Sequence, residues 1–184
     1  GPQVMGHGPD FLSPENPNHL ICNGEGERTF SNLLREFAES TPDFSKVRGL
    51  SFYADGSLIT TENEPRIVNL DEIPSPYLTG LFDGDYHWAI METNRGCPFH
   101  CGFCYWGAAT NDKVLKFGEE RVLEEIAWVG KHKIPLVFLA DANWGMLKRD
   151  IQFSRAIAKS KQEHGLPMHL SFSAAKNSPD RVTE

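Results

Sequence analysis

The chain has 184 residues, which is enough for one domain of ordinary size or for parts of two. Apolar residues make up 40% of it and charged residues 23%, a balance that excludes a disordered or fibrous protein. The formal net charge is -7 and lysine and arginine form no block, so the sequence offers no basic surface to a nucleic-acid backbone and no nucleic-acid partner is expected.

Membrane insertion and secretion are not expected either. No stretch approaches the run of about eighteen apolar residues that a membrane span needs, and the N-terminus lacks the basic and then apolar pattern of a secretory signal. A cytoplasmic location follows. Thiols stay reduced there, and a tight group of cysteines is more often metal-binding or catalytic than disulfide-bonded.

The two ends of the sequence indicate a piece of a longer protein. The chain starts at GPQVMG without an initiator methionine, and it ends at NSPDRVTE, where Ser-Pro-Asp is typical of a helix start but few residues follow. The intact protein is therefore expected to be longer.

The first elements along the chain predict one βα step. Residues 1–18 are rich in Gly, Pro and Asn and predict a loop, and the short apolar run at 19–23 predicts a buried strand. A helix follows, with Glu25 near its N-terminus, where a carboxylate favours the helix dipole. The apolar residues at helical spacing in this helix are Phe30, Leu33, Leu34 and Phe37.

A β-hairpin and a proline-rich segment come next. Two β-prone runs flank Asp55-Gly56, a dipeptide that favours a tight hairpin turn. The segment DEIPSPYLTG then predicts a linker or extended strap, because each proline removes a backbone donor and disfavours helix before it. A domain boundary is expected between about residues 50 and 86.

From His87 onward the pattern alternates strand and helix. HWAIMET, IPLVFLA and PMHLSFSA predict three strands, and the second, a continuous apolar run, is typical of a parallel strand covered on both faces. Amphipathic helices are predicted between them, the second of which ends at Gly165. Right-handed βα units around a parallel sheet follow, with ligands at the carboxyl ends of the strands.

Three of the four cysteines lie in ETNRGCPFHCGFCYWG, after the first of these strands. Cys97, Cys101 and Cys104 are spaced C-x3-C-x2-C. A structural zinc site wants four ligands, and the candidates for the fourth are Cys22, far upstream, or His100, which abuts Cys101. A [4Fe-4S] cluster with three thiolates leaves one iron open for another ligand, so we favour the cluster over zinc.

The cysteine motif resembles that of the radical S-adenosylmethionine superfamily. The spacing after a first strand and the aromatic Phe103 before the last cysteine carry the resemblance. The order of GPQVMG, NGEGERTF, NLDEIPSPY, RGCPFHCGFCYWG and FLADANWG further resembles the cobalamin-dependent members. The resemblance implies an α/β fold: a partial (β/α) radical-SAM barrel, limited to its first three βα units, after the C-terminal part of a Rossmann-like B12-binding domain.

The same resemblance implies three segments. Residues 1–49 are the C-terminal part of the Rossmann-like cobalamin-binding domain, 50–86 the hairpin and Pro-rich linker, and 87–184 the N-terminal part of the barrel. It also implies three cofactors, namely a [4Fe-4S] cluster, S-adenosylmethionine bound to its open iron, and cobalamin.

The resemblance assigns roles to particular residues. The metal ligands are Cys97, Cys101 and Cys104. The cofactor-binding residues are Phe103 against adenine, Asp141 or Asn143 on the methionine ammonium, Ser171 and Ser173 on the ribose or carboxylate, and Gly24 and Glu25 beside cobalamin. The segment with Asp141 and Asn143 is equally typical of a turn or a helix cap that binds no ligand. Further candidates by position are Gly1 and Pro2 beside cobalamin, Tyr105 and Trp106 as cavity walls, and Lys176 and Asn177 on the substrate side.

The implied function is a cobalamin-dependent methyltransferase acting on an unactivated carbon or a phosphinate of a small molecule or peptide. Its electron donor is expected to be a flavodoxin or ferredoxin. Two alternatives stay open: a radical S-adenosylmethionine enzyme without B12, such as a methylthiotransferase, cyclase or oxidoreductase, and a non-catalytic zinc or Fe-S module.

Overall fold

A computed structural model describes residue 4 and residues 7–82, 84–104, 113–177 and 179–183. The chain divides into two compact units, Gly1–Val68 and Asn69–Glu184. In the described part of the chain, no helix is both long enough and apolar enough to cross a membrane.

The first unit is built on a three-stranded antiparallel sheet. Strands β1 (Leu20–Cys22), β2 (Leu50–Ala54) and β3 (Ser57–Thr60) lie in that order. Helix α1 (Gly8–Phe11) precedes β1, and helix α2 (Gly26–Phe37) follows it. The buried apolar cluster of this unit consists of Leu33, Val47, Leu50 and Phe52.

The predicted hairpin is confirmed. Ala54 pairs with Ser57, and the two turn residues between them, Asp55 and Gly56, have φ angles of 50° and 74°. A type I′ turn needs positive φ at both positions, which glycine adopts freely and aspartate tolerates. The local sequence alone therefore determines this turn.

The grouping of the hairpin differs from the predicted division. Strand β1 pairs antiparallel with β2, with Ile21 opposite Ser51, so the hairpin completes the sheet that the first βα step begins. The sequence placed the hairpin with the linker because the pairing partner of β1 lies 28 or more residues away. The Rossmann-like origin of residues 1–49 stays a prediction.

The apolar face predicted for α2 is mostly exposed. Only Leu33 is buried, while Phe30, Leu34 and Phe37 are more than half exposed. Phe37 stacks on Phe44, with ring centroids 5.6 Å apart. In the described part of the first unit, Leu33 is thus the one of these four apolar residues that is packed in the buried cluster with the sheet.

The second unit begins with the proline-rich segment, which packs as a strap on helix α3 (Glu119–Lys131). The Asp71 carboxylate accepts the Gly118 backbone N–H, at 2.9 and 3.1 Å from its two oxygens, and so caps the N-terminus of α3. Further along, the Tyr77 ring lies 5.0 Å from that of Trp128, and its hydroxyl donates to the Ile90 carbonyl. The strap predicted from the prolines is therefore fastened to both a helix and a strand.

Three parallel strands form the sheet of the second unit. Strand β4 (Trp88–Met91) pairs with β7 (Leu136–Leu139), which pairs with β8 (His169–Ser171). Helix α3 lies between β4 and β7 in the chain, and α4 (Asp150–His164) lies between β7 and β8. The alternation of strand and helix predicted from His87 onward is confirmed, and so is the end of α4 at Gly165, with φ of 73°.

Two smaller strands and a short helix complete the unit. Strands β5 (Asn94–Arg95) and β6 (Leu115–Lys116) form an antiparallel pair, and helix α5 (Pro179–Thr183) lies near the end of the chain. Helices α3 and α4 approach closely at Gly130, where an added Cβ would collide with the Ser160 hydroxyl.

The faces of the parallel sheet differ in burial. The alternate residues Ala89, Met91, Val137 and Leu139 are buried, whereas Trp88, Ile90 and Phe138 are exposed. Side chains alternate between faces along a strand, so one face is covered and the other is not. The prediction that β7 is covered on both faces does not hold within the described residues, and the partial barrel stays a prediction.

Candidate functional site

The carboxyl ends of β4 and β7 bring two polar segments together. Thr93 and the segment that carries the three cysteines follow β4, and we call this segment, residues 94–104, the cysteine loop. Asp141 and Asn143 follow β7. Beyond the strand ends, Trp144 forms an isolated parallel bridge with Ala174. Ligands of parallel α/β sheets bind at this edge, which makes it the candidate site of the chain.

Asp141 is the central polar contact at this edge. Its Oδ1 accepts the backbone N–H groups of Thr93 and Asn94 at 2.7 and 3.1 Å. Its Oδ2 accepts the Thr93 hydroxyl at 2.5 Å and the Asn94 side-chain amide at 2.9 Å. All three residues are buried, so one carboxylate fastens the start of the cysteine loop to the end of β7.

Burial changes the acidity of this carboxylate. Removal from water penalises its charged form and raises the pKa of Asp141 from the ordinary 3.8 to about 6. Hydrogen bonds from Thr93 and Asn94 lower the pKa in part, and the nearby charge of Asp150 adds to the rise. Asp141 thus carries a buried charge near neutral pH that its donors only partly stabilise.

Arg149 holds the same segment from the start of α4. Its guanidinium donates to the carbonyls of Thr93 and Phe117, each at 2.6 Å. The following residue, Asp150, accepts the backbone N–H of Gly145 at 3.0 Å and orders the loop between β7 and α4. The segment after β4 is therefore held by both a carboxylate and a guanidinium.

The cysteine loop itself is anchored at one end. Cys97 is buried, with 7% of its surface exposed, whereas Cys101 and Cys104 are exposed. The Asn143 amide donates to the Cys97 sulfur at 3.2 Å, and the Cys104 N–H donates to the Cys101 carbonyl at 3.0 Å. All of these cysteines are free thiols.

The donor chemistry of this loop fits an iron–sulfur cluster. Three free thiols lie within eight residues of chain, and no disulfide consumes them. In the described ranges, no three His, Cys, Asp or Glu side chains converge closely enough to hold a metal ion, so Cys101 and Cys104 are not gathered around Cys97. Cluster binding by these three residues stays a prediction.

The other predicted cofactor residues of the second unit are accessible. Phe103 is 90% exposed, and Ser171 and Ser173 are exposed as well. Asp141 and Asn143 lie together at the strand ends as predicted, but the contacts of Asp141 are to the chain itself. The roles of these five residues towards a cofactor stay predictions.

The predicted residues of the first unit lie beside α2. Gly24 has φ of 76° and is exposed, which suits a turn before the helix. The Glu25 carboxylate accepts the Ile67 N–H at 2.7 Å and pairs with Arg66 at 3.3 Å. Glu25 thus joins the start of α2 to residues 66–67 of the first unit. Its role beside cobalamin stays a prediction.

Four further candidates, Gly1, Pro2, Tyr105 and Trp106, lie outside the described residues. Lys176 and Asn177 lie past β8 and are exposed. Their assignment to the substrate side remains untested.

Sequence reasoning missed Thr93, Asn94 and Arg149. A signal for the first two was available, because a Thr-Asn pair stands between a predicted strand end and the cysteine motif. Arg149 precedes a predicted helix and carried no such signal, since its partners are carbonyl groups 32 and 56 residues earlier in the chain.

No known family model matches the chain. Among curated proteins, it is 36% identical over 191 residues to the cobalamin-dependent radical SAM methyltransferase TokK of Streptomyces tokunonensis, covering 99% of this chain and 28% of TokK. It is 37% identical over 193 residues to the 2-(S-pantetheinyl)-carbapenam-3-carboxylate methyltransferase of Streptantibioticus cattleyicolor, covering 100% of this chain and 28% of that enzyme.

A solved structure is also similar. The cobalamin-dependent S-adenosylmethionine radical enzyme OxsB, with aqua-cobalamin and S-adenosylmethionine bound, matches 90% of this chain and 25% of its own, with a TM-score of 0.59 and 25% identity. The chain thus spans 28% of the length of the two curated relatives. The family predicted from the motifs is confirmed: the chain belongs to the cobalamin-dependent radical S-adenosylmethionine enzyme superfamily.

Proposed function

We propose that the chain is the cluster-bearing part of a cobalamin-dependent radical S-adenosylmethionine methyltransferase. The observation that carries the proposal is the cysteine loop at the carboxyl end of the first parallel strand, in a chain that is similar over its full length to two methyltransferases. Ligand sites of parallel α/β sheets lie at this edge, and three free thiols supply the ligands that a cluster needs.

In this proposal, Cys97, Cys101 and Cys104 hold three irons of a [4Fe-4S] cluster, and the fourth iron takes S-adenosylmethionine. When bound, the cluster and S-adenosylmethionine supply a deoxyadenosyl radical, and cobalamin supplies the methyl group. Phe103, Asn143, Ser171 and Ser173 are the residues proposed to contact S-adenosylmethionine. Asp141 remains a candidate as well, although its oxygens already accept four hydrogen bonds from the chain.

The chain's own contribution is to hold the strand ends in register. Asp141 and Arg149 both bind Thr93, which fixes the segment that leads into the cysteine loop. The Trp144 N–H donates to the Ser173 carbonyl at 2.8 Å, which joins the loops after β7 and β8. A rigid base of this kind supports a cluster in a defined orientation.

Cobalamin binding is proposed for the first unit together with the rest of the intact protein. Gly24 and Glu25 are its candidate contacts. TokK is a cobalamin-dependent enzyme, and the OxsB structure holds aqua-cobalamin. The substrate is proposed to be a small molecule or peptide, and the electron donor a flavodoxin or ferredoxin.

The test uses the whole protein that contains this chain, produced anaerobically with hydroxocobalamin. We expect a bound corrinoid in the absorption spectrum, and 5′-deoxyadenosine after addition of S-adenosylmethionine and dithionite. Bound iron and 5′-deoxyadenosine without a corrinoid would favour a radical enzyme that lacks B12. Zinc in place of iron would favour the non-catalytic module instead.

A further inference from the structure

The Asn143 side chain makes a contact that the proposed cofactor roles do not use. Its amide nitrogen lies 3.2 Å from the sulfur of Cys97, with the amide as donor. Cys97 is the buried member of the cysteine triplet and Asn143 is half-buried, so this hydrogen bond is partly shielded from water. A hydrogen bond to sulfur that is shielded in this way is stronger than an exposed one.

The contact is held from both of its ends. On the side of Asn143, Asp141 is fastened to Thr93 and Asn94, and Trp144 is fastened by the parallel bridge to Ala174. Trp144 is buried, and the Asn143 carbonyl accepts the Met146 N–H at 3.2 Å. Asn143 therefore lies between two fixed neighbours, which limits the directions that its side chain can take.

On the side of Cys97, the same carboxylate holds the segment that leads to the sulfur. Asp141 holds the backbone N–H groups of Thr93 and Asn94 at the start of the cysteine loop. Cys97 follows Asn94 by three residues. Asp141 thus anchors the segment that leads to Cys97 and lies two residues before Asn143 in the chain.

We propose that Asn143 tunes the cluster: its amide donates a hydrogen bond to the Cys97 sulfur and raises the reduction potential of the [4Fe-4S] cluster. The inference rests on the proposed function, because it requires Cys97 to be a cluster ligand. It is separate from the role proposed for Asn143 towards S-adenosylmethionine, in which the amide oxygen, and not the amide nitrogen, accepts from the ammonium group.

The physical reason is the charge on the sulfur. Reduction by one electron makes the cluster and its thiolates more negative, so a donor to a ligand sulfur stabilises the reduced state more than the oxidised one. Loss of the donor lowers the potential, and an anion in its place lowers it further.

The experiment is a dithionite titration of the reconstituted whole protein without S-adenosylmethionine, followed by EPR. The variants are Asn143→Leu, which removes the donor at similar size, and Asn143→Asp, which places an anion against the sulfur. Asn18→Leu is the matched control, because Asn18 is an exposed asparagine of the first unit.

We expect the reduced-to-oxidised ratio at a fixed potential to fall by roughly tenfold in Asn143→Leu, which is about 59 mV for a one-electron couple. The ratio should fall further in Asn143→Asp, and in Asn18→Leu it should equal that of the wild type. Equal ratios in wild type and Asn143→Leu would overturn the inference. If Asn143→Asp then binds S-adenosylmethionine as well as wild type while Asn143→Leu does not, the ammonium role is the correct one.

A second measurement covers the case in which the variants fail to assemble a cluster. In wild-type protein labelled with ¹⁵N-asparagine, pulsed EPR of the reduced cluster should detect a coupled ¹⁵N nucleus and an exchangeable proton. Absence of both signals overturns the inference while leaving the proposed function intact. Absence of any [4Fe-4S] cluster from the wild-type protein is the different outcome that overturns the proposed function itself.

Discussion

Replacement of Asp141 by asparagine should change how the free energy of unfolding depends on pH. The Asp141 carboxyl has a folded pKa of about 6 and an ordinary value of 3.8, because its desolvation outweighs its hydrogen bonds. A group whose folded pKa is raised binds its proton more tightly in the folded state. Its stabilising effect is therefore complete below pH 3.8 and is lost as the pH rises through about 6.

The size of the effect follows from the shift. A change from 3.8 to about 6 corresponds to about 3 kcal/mol, at about 1.4 kcal/mol for each pH unit. Most of this loss falls between about pH 4 and pH 7. Asparagine does not titrate, so the variant should lack this part of the pH dependence, and its stability relative to wild type should rise by about 2–3 kcal/mol over that range.

The geometry permits the substitution. The asparagine oxygen can accept the Thr93 and Asn94 N–H groups as Oδ1 of Asp141 does. Its new amide would face the Thr93 hydroxyl, which can turn and accept, and the Asn94 amide. The buried Oδ1 of Asn94 has no partner among the described residues. Rotation of the Asn94 side chain would present that oxygen as the missing acceptor.

The assay is urea denaturation of wild type and Asp141→Asn, followed by fluorescence at several values between pH 4 and pH 8. The comparison of the two proteins cancels the groups that do not interact with Asp141. Asp150 is not one of them, because its charge raises the pKa of Asp141, so the measured difference includes the coupling of the two carboxyls. A stability difference that stays constant within about 0.5 kcal/mol over this range would refute the reasoning, since a carboxylate with the cited shift must change it by several times that amount.

Two further predictions concern helix α3. Gly130→Ala should lower the free energy of unfolding by about 1–3 kcal/mol in urea denaturation, because the added Cβ collides with the facing helix. The matched Gly26→Ala change meets no atom within 4 Å and should be neutral or stabilising, so an equal loss in both would contradict the packing argument. Asp71→Ala should cost about 0.5–2 kcal/mol in the same assay by removing the cap at Gly118, and Asp71→Asn, which can still accept that N–H, should cost less. Equal losses in the two Asp71 variants would argue against capping.

The elements that could be predicted from the sequence depend on local signals. Asp55-Gly56 determines a turn by its own backbone preferences, and Gly165 ends α4 because it adopts positive φ. Strand β4, which ends before Cys97, could also be predicted, because its apolar residues and the cysteine motif after it both indicate a strand there. These features need no information about distant residues.

The contacts that could not be predicted join distant parts of the chain. Asp141 and Thr93 are 48 residues apart, and only the register of β4 against β7 brings them together. For that reason the sequence could not decide whether Asp141 contacts a ligand or its own chain. The exposure of Phe30 and Phe138 could not be predicted either, because periodicity identifies an apolar face but not the residues that cover it.

The central claim is that Cys97, Cys101 and Cys104 hold a cluster with one open iron. The most direct measurement is iron and sulfide analysis with low-temperature EPR of the reduced whole protein, before and after addition of S-adenosylmethionine, alongside a variant in which all three cysteines are alanine. We expect one [4Fe-4S] cluster whose signal changes when S-adenosylmethionine is added, and no cluster in the variant. A protein that contains zinc, or a cluster that persists without these cysteines, would contradict it.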